Sequence, residues 1–237
     1  KWVDSQGREI ADLTADDFLA GMQHAMDCGA VSYLYDGVIK NAAGYNSGDI
    51  LDMAEVGIKA VDNHTLEYTL EKPTSFFMSM LSYHTFAPLC RSYYESKGGK
   101  FGAEFDPSAE DYTYGVDPDS VAYCGPYTVT NFTAKNTIVF KANPLYWNKD
   151  NINIKTLTWH YSDGSDPTKT YEDAKSGALD GTGLSETTVP IAQADGLFDE
   201  YHYVSSTDAT TFTLWFNLYR NGYGNYNDDT KVTSNLT

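Results

Sequence analysis

Carboxylate pairs are the obvious candidates for chemistry in this chain. Asp16 with Asp17, Asp49 with Asp52, and Asp228 with Asp229 lie close in sequence. Two carboxyl groups held about 5 to 9 Å apart across a cleft are what glycoside hydrolysis requires. Asp16 and Asp17, however, follow Thr14 at the start of an apolar-periodic stretch, where carboxylates satisfy free amides and complement the helix dipole. Asp228 and Asp229 fall in 222–237, a run of Gly, Asn, Asp and Thr without a core pattern, expected to be a partly disordered tail. The histidines, His24, His64, His84, His160 and His202, are dispersed, with none at the i, i+4 spacing of a helical metal site. No serine stands in a Gly-x-Ser-x-Gly elbow, and no nucleophile motif accompanies a cysteine. Asp163-Gly164-Ser165-Asp166 matches the opening of a calcium loop but lacks the glutamate that closes one, so ordinary turn chemistry is expected.

Composition narrows the classes further. The 237 residues carry 33 acidic against 16 basic side chains, a net charge of -17, which repels nucleic acid phosphates and anionic lipid. No run of about 18 apolar residues is present to span a bilayer. Three cysteines, Cys28, Cys90 and Cys124, show neither zinc spacing nor a redox Cys-x-x-Cys; an odd count leaves at least one free or paired elsewhere. Aromatic residues make up 14% of the chain and tyrosine dominates them. A flat apolar face with a polar tip suits a cleft that accepts varied ligands without covalent chemistry. For any single tyrosine, core packing remains the default.

The elements that must position such groups read as a mixed α/β fold. Thr14 and Asp17 make a capping-box start, and Phe18, Leu19, Met22, Ala25 and Met26 fall on one helix face. Val56, Ile58 and Ala60 alternate, as do Leu66, Tyr68 and Leu70, on either side of Asp62-Asn63-His64, predicting a hairpin. Phe76, Phe77, Met80 and Leu81 predict a short helix after Pro73. The region 97–120 has few periodic apolar positions and is expected to be a long loop or short irregular helices. Strands are predicted at 127–130, 137–141, 156–161 and 211–217. Helices are predicted at about 167–176, ending at Gly177, and near Thr187 with Pro190 in its first turn.

The wording of several of these segments resembles a known family. Gly125-Pro126-Tyr127, a hairpin, and then Lys141-Ala142-Asn143-Pro144-Leu145-Tyr146-Trp147 are similar to the hairpin and turn of the oligopeptide- and dipeptide-binding proteins of ABC importers, the family 5 extracellular solute-binding proteins. Trp2-Val3-Asp4 through Phe18, Ile58 through Glu67, Leu70 through Thr74 with Thr85 through Pro88, and Ala174 through Asp180 follow that family's motifs in order.

The resemblance implies a periplasmic-binding-protein type II-like α/β lobe with a smaller appended lobe, truncated before the second ligand-binding lobe. It places a partial accessory lobe at 1–88 and a partial first ligand-binding lobe at 89–237. It also implies that Lys1 is not the native start. The implied protein is extracytoplasmic, periplasmic or held at the cell surface as a lipoprotein. Its implied function is substrate capture: a peptide ligand is bound non-covalently and passed to an ABC permease, with no enzyme activity, cofactor or metal. Gly183, Leu184 and Ser185 would edge the cleft, as would a strand carrying Thr213, Trp215 and Asn217. Tyr33, with Tyr35 nearby, falls in the part of the small lobe that lies over the cleft in peptide binders. Trp215 departs from the best-known members at a position that bears on ligand class, and because the matching motifs belong to the scaffold and do not read the ligand, a dipeptide, a nickel chelate, haem or a sugar stand as other ligands. The family's geometry also brings the segments of Cys90 and Cys124 together, implying a disulfide. The readings from other classes are a glycan-active hydrolase, marked by converging carboxylates, and a carbohydrate-binding surface module with an exposed aromatic platform.

Overall fold

The computed structural model describes residues 1–198, 204–205 and 213–214, and the chain divides into two compact units, Lys1–Ser165 and Asp166 onward. The first unit begins with a small hairpin, β1 (Trp2–Val3) against β2 (Glu9–Ala11), and then α1 (Ala15–Asp27). Thr14 and Asp17 form the predicted capping box, with Asp17 Oδ2 accepting the Thr14 N–H at 2.8 Å.

Two faces of α1 are buried, where periodicity predicts one. Met22 and Met26 join the main core with Tyr35, Ile39, Phe77, Met80 and Phe86. On another side, the small residues Ala20 and Gly21 admit the chain at 87–94. Ala20 packs with Leu89 and the wholly buried Tyr94, and Leu89 donates its N–H to the Asp17 carbonyl at 2.8 Å. Phe18, expected in the core face, is only half-buried.

The predicted hairpin is β3 (Ile58–Asp62) with β4 (Thr65–Tyr68), antiparallel, and Ile58 and Val56 reach the main core. A short α2 (Ala42–Ser47) precedes it. The predicted helix after Pro73 is the single turn α3 (Phe77–Met80), with Phe77 and Met80 buried. After Pro88 comes α4 (Arg91–Ser96). The stretch 97–120 contains only two 3-10 turns, Gly102–Glu104 and Pro118–Ser120.

The Gly-Pro-Tyr segment leads into a three-stranded antiparallel sheet, β5 (Tyr127–Thr133), β6 (Thr137–Ala142) and β7 (Thr156–His160), in that order. Lys135 takes a left-handed φ of 53° in the reversal between β5 and β6, and a bulge lies between Val129 and Asn131. Ile138 and Phe140 face one way, as predicted; Ile138 pairs with Trp159, whose ring lies 4.8 Å from that of Phe140. Asn143, fully buried, explains the wording of the turn that follows. Its amide Nδ2 donates to the Gly125 carbonyl at 2.9 Å, its N–H donates to Pro126 O at 2.8 Å, and its Oδ1 accepts the Leu145 N–H at 2.9 Å. One side chain therefore ties the Gly-Pro turn to the Asn-Pro turn across the sheet's end.

The last turn of α1 carries a titratable cluster. The His24 ring lies 4.9 Å from Tyr94, 5.7 Å from Phe105 and 6.5 Å from Tyr114, and Cys28 Sγ stands 3.7 Å from its Nε2. Burial pushes the imidazole below its ordinary range, and the Asp27 carboxylate opposes this only in part. Asp27 is itself pushed up by burial, against hydrogen bonds from the Gly102 N–H and the Tyr45 hydroxyl.

The two groups act on stability in opposite directions. An imidazole whose folded pKa is depressed is protonated more readily in the unfolded chain, so stability falls as the pH drops through the unfolded value of about 6.5. Asp27, raised from 3.8, holds its proton more tightly when folded, and its contribution grows only in the more acidic range. The urea midpoint is therefore expected to fall between about pH 7.5 and about pH 5.5. A His24→Phe variant should show a flatter profile; an unchanged drop in that variant would assign it to other groups.

Candidate functional site

The second unit is built around α5 (Lys169–Lys175) and α6 (Thr188–Ala194), matching the two helices predicted there. Gly177, at a left-handed φ of 79°, ends the first of them, and Asp173 O accepts the N–H groups of Ala178 and Leu179. Tyr171 is buried on the inner face of α5. Its hydroxyl donates to Asp195 Oδ2 at 2.7 Å, and Lys175 Nζ reaches the same oxygen at 2.7 Å. The Lys175 hydrogen bond, followed by that of Tyr171, holds the Asp195 carboxyl below its usual range. Together these contacts link the end of α6 to α5.

Between the two helices the chain runs without regular structure past a cavity of about 590 Å³, within the size range of small-molecule sites. Tyr171, Leu179, Gly183, Leu184, Ala192 and Phe198 are among its lining residues. The walls are mainly apolar, with Lys175 and Asp180 as charged members. Among the described residues, no main-chain N–H from Gly181 to Leu184 donates a hydrogen bond, and the Gly183 carbonyl accepts only the Thr182 hydroxyl. A strand-like ligand is recognised through pairing with main-chain N–H and C=O groups.

The expected site residues divide as follows. Gly183 and Leu184 line the cavity. Ser185 is not among the lining residues; it bonds to the start of α6, where its Oγ accepts the Thr188 N–H at 3.3 Å and its N–H donates to Thr188 Oγ1 at 2.7 Å. Thr213 is exposed, while Trp215 and Asn217, with most of the strand expected at 211–217, lie outside the described residues. Tyr33 belongs to the first unit and is 77% exposed; its neighbour Tyr35 is fully buried in the core. Cys90 is buried, Cys124 half-buried and Cys28 exposed, all as thiols. Tyr171, Ala174 and Lys175 were not singled out from the sequence as cavity residues. Their i, i+3, i+4 spacing on a correctly predicted helix was the available signal.

The competing chemistries find other uses for their residues. Asp49 accepts the Ser47 hydroxyl, Asp52 caps Ala54, and Asp163 accepts both the N–H and the hydroxyl of Ser165 in an ordinary turn. Among the described residues no three His, Cys, Asp or Glu side chains converge to hold a metal ion, and no helix is long and apolar enough to cross a membrane.

Residues 1–232 match the family of bacterial extracellular solute-binding proteins, family 5 Middle. The chain belongs to this family. Over 224 residues it is 34% identical to the oligopeptide-binding protein SarA of Streptococcus gordonii, covering 94% of this chain and 32% of that protein. It is also 34% identical to the oligopeptide-binding protein AmiA of Streptococcus pneumoniae, over 97% of this chain and 33% of that one. The solved structure of a Listeria monocytogenes OppA bound to peptide matches with a TM-score of 0.65 at 27% identity, covering 81% of this chain and 34% of that one. The substrate-binding domain of a Bacillus anthracis oligopeptide ABC transporter matches with a TM-score of 0.67 at 25% identity, covering 81% and 34%. The family 5 chain thus spans about a third of the length of these relatives. Its fold is the mixed α/β fold of solved peptide-binding proteins, present in part.

Proposed function

We propose that this family 5 chain is part of the substrate-capture component of an ABC importer that binds oligopeptides non-covalently outside the cytoplasm and hands them to a membrane permease. The observation that carries the reading is its identity of 34% to proteins named as oligopeptide-binding, over nearly its whole length. The cavity beside Gly183 and Leu184 supports it, because main-chain groups that make no main-chain hydrogen bond among the described residues, next to an apolar hollow, suit recognition that is independent of peptide side chains. On this reading 1–88 belongs to the accessory lobe and 89–237 to the first ligand-binding lobe. Thr213, Trp215 and Asn217 contribute a second cleft edge, and Tyr33 reaches the ligand from the small lobe. No bond is broken and no cofactor takes part. Ligand contacts both sides of the cleft only when it closes, so binding shifts the population toward the closed form that the permease recognises. The protein works in the periplasm or tethered to the cell surface.

The test is mass spectrometry of small molecules released on denaturing the full-length protein after expression in rich medium. Peptides are the expected release; a metal chelate, haem or a sugar in their place would overturn the peptide assignment. A Gly183→Phe variant sharpens the test. Among the described residues a Cβ at Gly183 meets nothing within 4 Å, so the fold should tolerate the ring while the cavity loses room. Peptide affinity is expected to fall about tenfold or more, equivalent to about 1.4 kcal/mol.

A further inference from the structure

Two of the three thiols meet in one small core cluster. Cys90 is 2% exposed and packs with Trp2 and Ala122, and Cys124 packs against that same cluster. The placement follows from two sets of contacts. Asp17 takes the Trp2 indole N–H at 3.0 Å and the Arg91 N–H at 3.2 Å, and its carbonyl takes that of Leu89, which sets the 89–91 segment against Trp2. Val3 and Tyr123 exchange both main-chain hydrogen bonds at 2.8 Å, which brings Cys124 to the same place. Cys28 has a different environment, exposed at the end of α1 beside His24.

We propose that Cys90 and Cys124 are a disulfide-forming pair, oxidised by exchange with a disulfide-bearing protein or small molecule outside the cytoplasm, and that Cys28 stays a free thiol. The less buried Cys124 attacks the oxidant's disulfide as a thiolate, giving a mixed disulfide and releasing one oxidant thiol. The Cys90 thiolate then attacks Cys124 Sγ, forming the internal bond and expelling the second oxidant thiol. Two protein thiols lose two electrons and two protons, and the oxidant gains both. The cross-link closes the stretch containing α4 and the irregular region 97–120, which has little regular structure to hold it in place.

Burial, with smaller contributions from Asp17 and Cys90, pushes the Cys124 thiol up to about 11. Little of it is thiolate near neutrality, so closure in the folded protein should be slow at about pH 7 and accelerate toward about pH 9. The inference does not depend on the ligand.

The test uses the full-length protein, held in oxidised and reduced glutathione, then alkylated under denaturing conditions and mapped by peptide mass spectrometry. A cross-linked peptide pair containing Cys90 and Cys124, two hydrogens lighter than the reduced pair, with Cys28 alkylated, is the expected result. Reduction should lower the thermal midpoint by about 10 °C, and Cys124→Ser should remove that difference. Alkylation of both Cys90 and Cys124 after oxidation, or a bond from either to Cys28, would overturn the proposal. The mapping is done on the wild-type protein, so a variant that fails to fold does not affect it.

Discussion

Replacing Asp17 with alanine is expected to destabilise the first unit by about 3 to 5 kcal/mol, a large share of the roughly 5 to 15 kcal/mol that holds a domain together. This one buried carboxylate, 7% exposed, closes the capping box on Thr14, takes the indole N–H of the buried Trp2 and takes the Arg91 N–H. Loss of the cap alone costs about 1 kcal/mol. The Trp2 and Arg91 donors left without an acceptor cost about 1 to 3 kcal/mol each where water cannot reach them. Its neighbour supplies the control. Asp16 pairs with Arg91 at 2.6 Å but is half exposed, and Asp16→Ala should cost under about 1 kcal/mol. Urea unfolding followed by tryptophan fluorescence separates the two. Equal losses would mean that Asp17 serves only as a helix-start charge.

A methyl group added at Gly21 should be nearly as damaging. Glycine to alanine inside an exposed helix stabilises by about 1 kcal/mol, yet here the sign is expected to reverse, with a net loss of about 2 to 3 kcal/mol. A Cβ at Gly21 would stand 2.2 Å from the Ala87 carbonyl oxygen and 3.3 Å from Leu89 N, both main-chain atoms that move only if the segment moves. Gly44 in α2 is the comparison, since its Cβ would meet the flexible end of Ile50 at 2.9 Å. Gly44→Ala should be close to neutral in the same thermal or urea assay. A stabilising Gly21→Ala would show that α1 does not contact the 87–89 segment in solution.

Both residues show why the sequence was informative about elements and less so about their contacts. The capping box, the β3–β4 and β5–β6 hairpins, and the two helices of the second unit were all legible because each rests on local chemistry: a side chain reaching its own backbone, alternation at period two, glycine ending a helix. The β1–β2 hairpin, α2 and α4 carry no such signal. They are short, and α4 forms where the chain returns to α1 and buries Tyr94 completely. The double burial of α1 was hidden for the same reason. Ala20 and Gly21 register as weakly apolar in a periodicity count, yet their small size is what allows another backbone to approach.

The candidate site followed the same pattern. Resemblance in motif order placed Gly183 and Leu184 at a ligand edge, and they line a cavity; Tyr171 and Lys175, which complete its wall, went unremarked in the sequence. Ser185, expected at the same edge, exchanges hydrogen bonds with Thr188 at the start of α6.

The order of five short motifs was enough to name the family, and local rules were enough for the secondary structure wherever they applied. That Asp17 is a hub of three segments and not merely a helix-start charge emerged from the folded chain. The same holds for Asn143 joining two turns, while the neighbourhood of Cys90 and Cys124, implied by the resemblance, takes the form of a shared cluster which Cys28 does not enter. The difference is one of range. Caps, turns and alternation are settled within a few residues, whereas burial and the pairing of distant polar groups depend on which segments the closed fold brings together.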